Sequence, residues 1–236
     1  MTEQINSKNA IIELLEADPK KIAKVVIEKG QKGDKLNRII ELCKANFVRF
    51  DLVPAKEGAR GEERTGIYAI ITSFEYADLN DLDMSIIKCA VILDEIEDPH
   101  NLGAIIRSAA ASGAEVVIIP DRNAAQVTET VIAVSAGTIY KIRICRVKNI
   151  ASAIDRLKEN GFWITGTDMN GSADYKDYDY TNKAAIVIGN EGKGLRRLVS
   201  EKCDDMVRID LDNGVESLNA SVAAALILFE VKRKNG

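Results

Sequence analysis

Six short aliphatic runs recur from Cys89 onward: Ala90 to Leu93, Glu115 to Ile119, Ile142 to Val147, Phe162 to Thr165, Ala184 to Ile188 and Met206 to Ile209. Each is separated from the next by a helical or polar segment. Runs apolar on both faces and alternating with helices specify a parallel sheet covered on both sides, so the pattern predicts an α/β layered domain. Gly113 and Gly161 stand where left-handed helix ends belong, after helices expected from Asn101 and Asn149. The last helix, expected from Ser217, carries Leu218, Val222, Ala225, Leu226 and Phe229, and its other face is largely Ala. A helix apolar nearly all round needs cover on more than one side. The sheet and a second subunit together would supply it.

The first eighty residues read as a smaller α/β unit. A helix is expected near Asn9 to Glu16, and a second is opened by Asp18 with Pro19 at its first position. A third begins after Asp34, with Leu36, Ile39, Ile40 and Cys43 at helical spacing, and leads into an extended stretch, Val48 to Val53. Gly58 to Gly66 reads as a polar loop and Ile67 to Phe74 as a strand. The acidic segment Asp78 to Asp83 lacks apolar periodicity and reads as a linker. The expected domains are therefore 1–82 and 83–236.

Composition narrows the function. With 46% hydrophobic and 29% charged residues, the 236-residue chain is an ordinary globular protein whose core, at 5% aromatics, must be aliphatic. No uncharged apolar run is long enough for a membrane helix, and the first ten residues lack a signal-peptide core, so a soluble cytoplasmic protein is expected. The four cysteines lie more than forty residues apart and fit neither a zinc site nor a disulfide framework. His100 is the one histidine, which leaves no histidine-rich metal site; no metal is expected. The net charge of −4 rules out a surface coated for nucleic acid. Between Pro19 and Arg49, however, nine Lys or Arg face three acids, and Lys20, Lys21 and Lys24 lead that run. Such a run is either a solvated helix face or a local phosphate-binding patch.

In open α/β sheets ligands bind beyond the carboxyl ends of the strands, and three loops there are unusual. Asp98-Pro-His-Asn-Leu-Gly103 opens a helix containing Arg107. Gly189-Asn-Glu-Gly-Lys-Gly194 follows the strand Ala184 to Ile188; it lacks the Ser or Thr of a Walker loop, and Glu191 at its centre would repel a phosphate. Glu216-Ser-Leu-Asn-Ala-Ser221 opens the last helix. Taken singly, each has a plain reading: Asn101 and Ser217 as helix caps, the glycines as a tight turn.

Taken in order, Asp98-Pro-His-Asn-Leu-Gly-Ala-Ile-Ile-Arg-Ser-Ala109, Ile188-Gly-Asn-Glu-Gly-Lys-Gly-Leu195 and Ser217-Leu-Asn-Ala-Ser-Val-Ala223 resemble the three motifs of the SpoU/TrmH-type RNA ribose 2′-O-methyltransferases of the SPOUT class. The resemblance covers about Val91 to Val231, and the N-terminal unit resembles the small substrate-binding domain of ribosomal-RNA members. Two departures stand out: Gly66-Ile-Tyr-Ala69 where the family usually has a Gln-Gly sequence, and Asp210 where Ile-Pro-Met is common. The resemblance implies S-adenosylmethionine as methyl donor, RNA as substrate, a homodimer, and a C-terminal trefoil knot. It implies Asn101, Arg107, Glu191, Ser217 and Asn219 as the functional polar residues. It further implies a cofactor pocket at Thr167, Gly189, Asn190, Gly192, Ile209, Leu211 and Leu218, bound largely through backbone.

A methyl group on a sulfonium is already activated, so such an enzyme needs mainly alignment and the management of one proton. Arg107 stays protonated and suits stabilisation of a forming alkoxide better than base catalysis. His100 is a weaker base candidate, since its place beside Pro99 suits packing equally well. The tyrosines of the acidic loop Asp174 to Tyr180 (Tyr175, Tyr178, Tyr180) are candidates to stack on an unpaired base. Two other classes compete: a non-catalytic RNA-binding protein of this fold, which the retained polar motif residues oppose, and a nucleotide-dependent oxidoreductase, which the late position of the glycine loop opposes. Large-subunit ribosomal RNA is the first target expected and transfer RNA the second.

Overall fold

The six aliphatic runs all become strands of one parallel sheet, and the N-terminal unit builds a separate mixed sheet. The computed structural model describes residues 2–54, 66–72, 74–180 and 183–235. Elements are numbered in chain order. By their internal contacts the residues form two compact units, 1–75 with 127–141, and 76–126 with 142–236.

The first unit contains β1 (Thr2–Ile5), α1 (Lys8–Ala17), a 3-10 turn (Pro19–Lys21), β2 (Ile22–Glu28), α2 (Asp34–Ala45), β3 (Phe50–Val53) and β4 (Ile67–Thr72). Its sheet runs β1-β4-β2-β3, antiparallel except for the β2–β3 pair. The helix expected after Pro19 is a single 3-10 turn. Ile22-Ala-Lys-Val-Val-Ile-Glu28 then becomes a strand, because β-branched Ile22, Val25, Val26 and Ile27 are all buried, which a pleated strand accommodates better than a helix turn. The expected loop over 58–65 lies outside the described residues.

Residues 127–141 complete this unit with α4 (Glu129–Val134) and a 3-10 turn (Thr138–Lys141). Lys141 pairs with Glu13 at 2.6 Å, and the Gln4 amide donates to Glu129 at 3.1 Å. Gly137, at φ +85°, lies so close to α1 that a Cβ there would stand 2.7 Å from Ala10 Cα.

The second unit orders its strands β7-β6-β5-β10-β8-β11-β9, every pair parallel. They are β5 (Cys89–Asp94), β6 (Val116–Pro120), β7 (Arg143–Val147), β8 (Trp163–Thr167), β9 (Ala173–Asp174), β10 (Ala184–Gly189) and β11 (Asp205–Arg208). The helices are α3 (Pro99–Ser112), α5 (Ile150–Glu159), α6 (Arg197–Lys202) and α7 (Ala220–Asn235). Ile92, Val116, Ile118, Val187 and Ile164 form the centre of the core with Ile154 and Leu157 of α5. The segment read as a linker belongs to this unit: Leu79, Met84 and Ile87 are buried in the same core, and Ala77 bridges to Cys145 beside β7. The grouping by contacts thus changes at Glu75/Tyr76, ahead of the 82/83 division expected from composition, and returns residues 127–141 to the first unit.

Two helix starts also differ from expectation. Asp98 caps α3 by accepting the His100 amide at 2.8 Å, which places Asn101 inside the helix. Asn219, and not Ser217, caps α7, accepting the Ser221 amide at 3.0 Å. α7 packs on α3 and β10 and buries Ala224, Ile227, Leu228 and Val231. Val222, Leu226 and Phe229 lie along one stripe of its opposite face and are 47%, 39% and 46% exposed.

Candidate active site

β10 sits between β5 and β8, so the loops after β5, β10 and β8 open side by side at the carboxyl edge of the sheet. Gly189 at the end of β10 pairs with Asp94 at the end of β5. Here the three motif loops meet. Asn101 Nδ2 donates to Glu191 Oε1 in a short hydrogen bond. Asn219 Nδ2 donates to that same oxygen and to Asn101 Oδ1, both at 3.0 Å. The Ala220 amide adds a third donor to Glu191 Oε1 at 3.3 Å. One carboxylate oxygen therefore ties the start of α3 and the start of α7 to the glycine loop. Because Asp98 caps α3, the Asn101 carbonyl oxygen is not used on its own first turn and is free to accept from Asn219.

The glycine loop is also braced from within. Asn190 Oδ1 accepts the amides of Gly192 and Lys193 at 3.0 and 3.2 Å, while its Nδ2 donates to the Glu95 carbonyl at 2.9 Å. Glu95 holds a left-handed φ of +59° to present that carbonyl. Gly189 packs flat against the loop's return, where a Cβ would stand 2.5 Å from the Gly194 carbonyl carbon. Below it, the fully buried Asp94 accepts the Arg196 amide and Nε, each at 2.8 Å, and lies 2.6 Å from Nη2. That pairing holds the Arg196 guanidinium above its usual range. Sequence reading missed Asp94, Glu95 and Arg196. A carboxylate closing the otherwise apolar run Ala90-Val-Ile-Leu-Asp94 was the available signal.

Beside this braced loop lies a cleft of about 270 Å³ lined by Thr167, Ile188 to Gly194, Ile209, Leu211 and Glu216 to Leu218, among others. All seven expected cofactor positions, Thr167, Gly189, Asn190, Gly192, Ile209, Leu211 and Leu218, line it, as do Glu191 and Ser217. Thr167 donates its hydroxyl to the Val187 carbonyl at 3.1 Å, which leaves its oxygen as an acceptor. The walls are apolar at Ile188, Val207, Ile209, Leu218 and Ile227, and the rim carries Asp168, Glu191 and Glu216 against Lys193. This donor set fits S-adenosylmethionine: flat apolar walls for an adenine, backbone groups close by, and an acidic rim for a sulfonium.

Arg107 is not brought to the cleft. Six residues beyond Asn101, it is turned about 120° around the helix axis, and it stands exposed while Asn101 is buried. His100 is exposed on the first turn of α3 and does not line the cleft. The expected base-stacking tyrosines are instead structural. Tyr175 and Tyr180 are buried, and the Tyr178 hydroxyl donates to Asp205 at 2.7 Å and accepts from Trp163 Nε1 at 3.0 Å. In the first unit, Lys21 pairs with Asp18 and Glu75 at 3.9 and 3.5 Å, and Lys24 with Asp51 at 3.2 Å. Lys20 stays exposed. A charge count over Pro19 to Arg49 could not see these pairs, because Asp18, Asp51 and Glu75 lie outside that stretch. Among the described residues no group of three or more His, Cys, Asp and Glu is placed to hold a metal, and no helix is long and apolar enough to cross a membrane.

A parallel-sheet domain with three polar loops joined over a cofactor-shaped cleft, preceded by a small mixed-sheet unit, has the anatomy of an RNA methyltransferase. Residues 88–229 match the SpoU rRNA Methylase family, and residues 8–77 match the domain described as RNA 2'-O ribose methyltransferase substrate binding. The chain belongs to the SpoU methylase family. It is 40% identical over 240 residues to the Bacillus subtilis protein named "Putative TrmH family tRNA/rRNA methyltransferase YacO", covering 98% of this chain and 96% of the relative. A Staphylococcus aureus protein of the same family description is 41% identical over 220 residues, 90% of this chain and 89% of its own. Among solved structures, the SpoU methyltransferase AviRb from Streptomyces viridochromogenes, in complex with AdoMet, superposes with a TM-score of 0.81 at 24% identity, over 98% of this chain and 90% of that one.

Proposed function

We propose that this protein transfers a methyl group from S-adenosylmethionine to a ribose 2′-hydroxyl of structured RNA in the cytoplasm. The observation that carries the reading is Glu191, whose single oxygen joins Asn101 and Asn219 beside a cleft that fits the cofactor. When bound, S-adenosylmethionine supplies an electrophilic methyl group. The chain's part is to hold and align. The backbone of Gly189 to Gly194 grips the cofactor, Asn190 and the Asp94–Arg196 pair keep that loop from yielding, and Asn101 and Asn219 fix the floor on which the ribose rests.

Arg107 has no hydrogen bond within its own described chain, and its exposed guanidinium suits a site completed by a second subunit. A twofold dimer that covers Val222, Leu226 and Phe229 of α7 would bring the neighbouring α3 close, so that Arg107 stabilises the forming alkoxide across the interface. The trefoil threading of the last segment belongs to the same reading, supported by the hydrogen bond from Ala220, at the entry of α7, to the glycine loop. Our assignment of roles gives substrate RNA to the first unit and the cofactor to the second. In the first, Lys20, Lys21 and Lys24 serve phosphate contacts.

Large-subunit ribosomal RNA is the favoured target because of the N-terminal unit; transfer RNA is second, since the relatives' names carry both. Heats of binding to S-adenosylmethionine and to NAD separate this reading from an oxidoreductase, with heat expected from the first alone. A ribose-methylation map of a deletion strain names the nucleotide. A map identical to that of the parent, or binding of NAD alone, overturns the proposal.

A further inference from the structure

The carboxyl edge of the parallel sheet carries a second opening that methyl transfer itself leaves unused. Past the end of β7 lies a groove of about 700 Å³ bounded by Tyr76, Asp78, Arg146, Lys148 and Arg156. The Arg146 guanidinium carbon lies 4.4 Å from the centroid of the Tyr76 ring, so a planar cation and an aromatic face are stacked at the groove wall. Arg156 gives one N–H to the Asn80 carbonyl at 3.0 Å, but its Nε is buried without a partner. A buried donor of that kind is missing an acceptor.

Charge points the same way. Arg146 and Lys148 are exposed, and the carboxylate among the groove residues, Asp78, already accepts the Asn80 amide at 2.8 Å. In a chain of net charge −4, three cations facing one occupied carboxylate make a local positive field. The groove also leads somewhere. Lys148 continues into a neighbouring opening of about 300 Å³ with Arg122 and Arg196, and Arg196 is the residue locked on Asp94 beneath the glycine loop. Three strand spacings of about 4.8 Å separate β7 from β10, so the two ends of this track lie roughly 14 Å apart, a reach of a few nucleotides.

We infer that this groove binds the RNA strand flanking the target nucleotide. Arg146, Lys148 and Arg156 take its phosphates, and the Tyr76–Arg146 stack offers a surface to an unpaired base. The inference rests on the RNA methyltransferase reading for the identity of its ligand. It adds an RNA-binding surface within the cofactor-binding unit itself, separate from the lysines of the first unit.

The test uses the full chain, a short single-stranded oligouridylate and total large-subunit ribosomal RNA as probes, and S-adenosylmethionine binding heat as the control. Arg146→Glu with Lys148→Glu should weaken binding of both RNAs at least about tenfold. It should also flatten the slope of log affinity against log salt by roughly 0.7 to 0.9 for each phosphate that the protein no longer neutralises. The milder Arg146→Gln with Lys148→Gln should act in the same direction, raising KM for RNA while kcat holds. S-adenosylmethionine heat should not change in either. RNA affinity and salt slope equal to wild type in both double variants overturn the groove. A wild-type protein that binds RNA through the groove yet takes no S-adenosylmethionine overturns the methyltransferase reading and leaves the groove standing.

Discussion

Asn219 donates from Nδ2 to Glu191 Oε1 at 3.0 Å, closing a 28-residue stretch of chain onto the loop that walls the cofactor cleft. Because Asn101 and the Ala220 amide use the same oxygen, removing Glu191 takes one acceptor from three donors at once and leaves Asn219 only its bond to Asn101. Glu191→Ala should therefore cut methyl transfer by at least about a hundredfold and weaken S-adenosylmethionine binding, while Glu191→Gln, which keeps an acceptor oxygen, should recover part of both. Steady-state kinetics and calorimetry on the two variants decide it. Equal losses would mean that the charge, and not the hydrogen-bond hub, is what matters.

Asp94 and Arg196 should matter for stability as well as for binding. Asp94→Ala empties a fully buried position and leaves the half-buried Arg196 guanidinium with only Glu95, at 3.5 Å, so a loss of about 2–3 kcal/mol is expected from denaturant midpoints, with weaker S-adenosylmethionine binding. An unchanged midpoint would show that the loop is braced by Asn190 alone.

Arg107→Ala should leave the unfolding midpoint within about 0.5 kcal/mol of wild type, because the side chain is exposed and bonded to nothing among the described residues. S-adenosylmethionine binding should be near normal while methyl transfer falls by orders of magnitude. Turnover retained in the variant removes Arg107 from the reaction.

Charge placed on the exposed stripe of α7, as in Leu226→Lys with Phe229→Asp, should yield a folded monomer that binds RNA and transfers no methyl group. Native mass and methyl transfer are measured on one sample. A monomer of full activity rules out a shared site.

The cysteines set an alkaline limit. Burial pushes Cys89 and Cys203 up to about 12, and Cys43 and Cys145 up to about 11, from an ordinary value of 9.0. A raised folded value favours the folded state fully below about pH 9, and that contribution is lost as pH climbs toward 11 and 12. Melting temperature should fall over this window, less steeply in Cys89→Ala. Iodoacetamide at pH 8 should label the thiols only after unfolding.

Strand runs such as Val116–Pro120 were legible because burial on both faces leaves no polar residue to blur them. β2 was not, since Pro19 behind Asp18 is a strong helix signal and only tertiary burial of Ile22, Val25, Val26 and Ile27 overrides it. In the site, motif order revealed Asn101, Glu191 and Asn219, but not that they share one oxygen. The Asp94–Arg196 pair joins residues 102 positions apart and leaves no local pattern. The helix that carries Arg107 was foreseen, yet six residues of helix turn its side chain about 120° from Asn101 and leave it exposed.

Residues 127–141 belong by contact to the first unit although they lie past the middle of the chain, inside the sequence of the second unit. The backbone therefore crosses between units three times, and the N-terminal part is not a cassette that a single cut can lift out. A chimera that exchanges only residues 1–75 with a relative would set a foreign α1 against the native Gly137 and Lys141. Exchange of substrate preference between such enzymes would then proceed by two coordinated grafts, and lineages that recombine at one junction alone would inherit a mismatched seam.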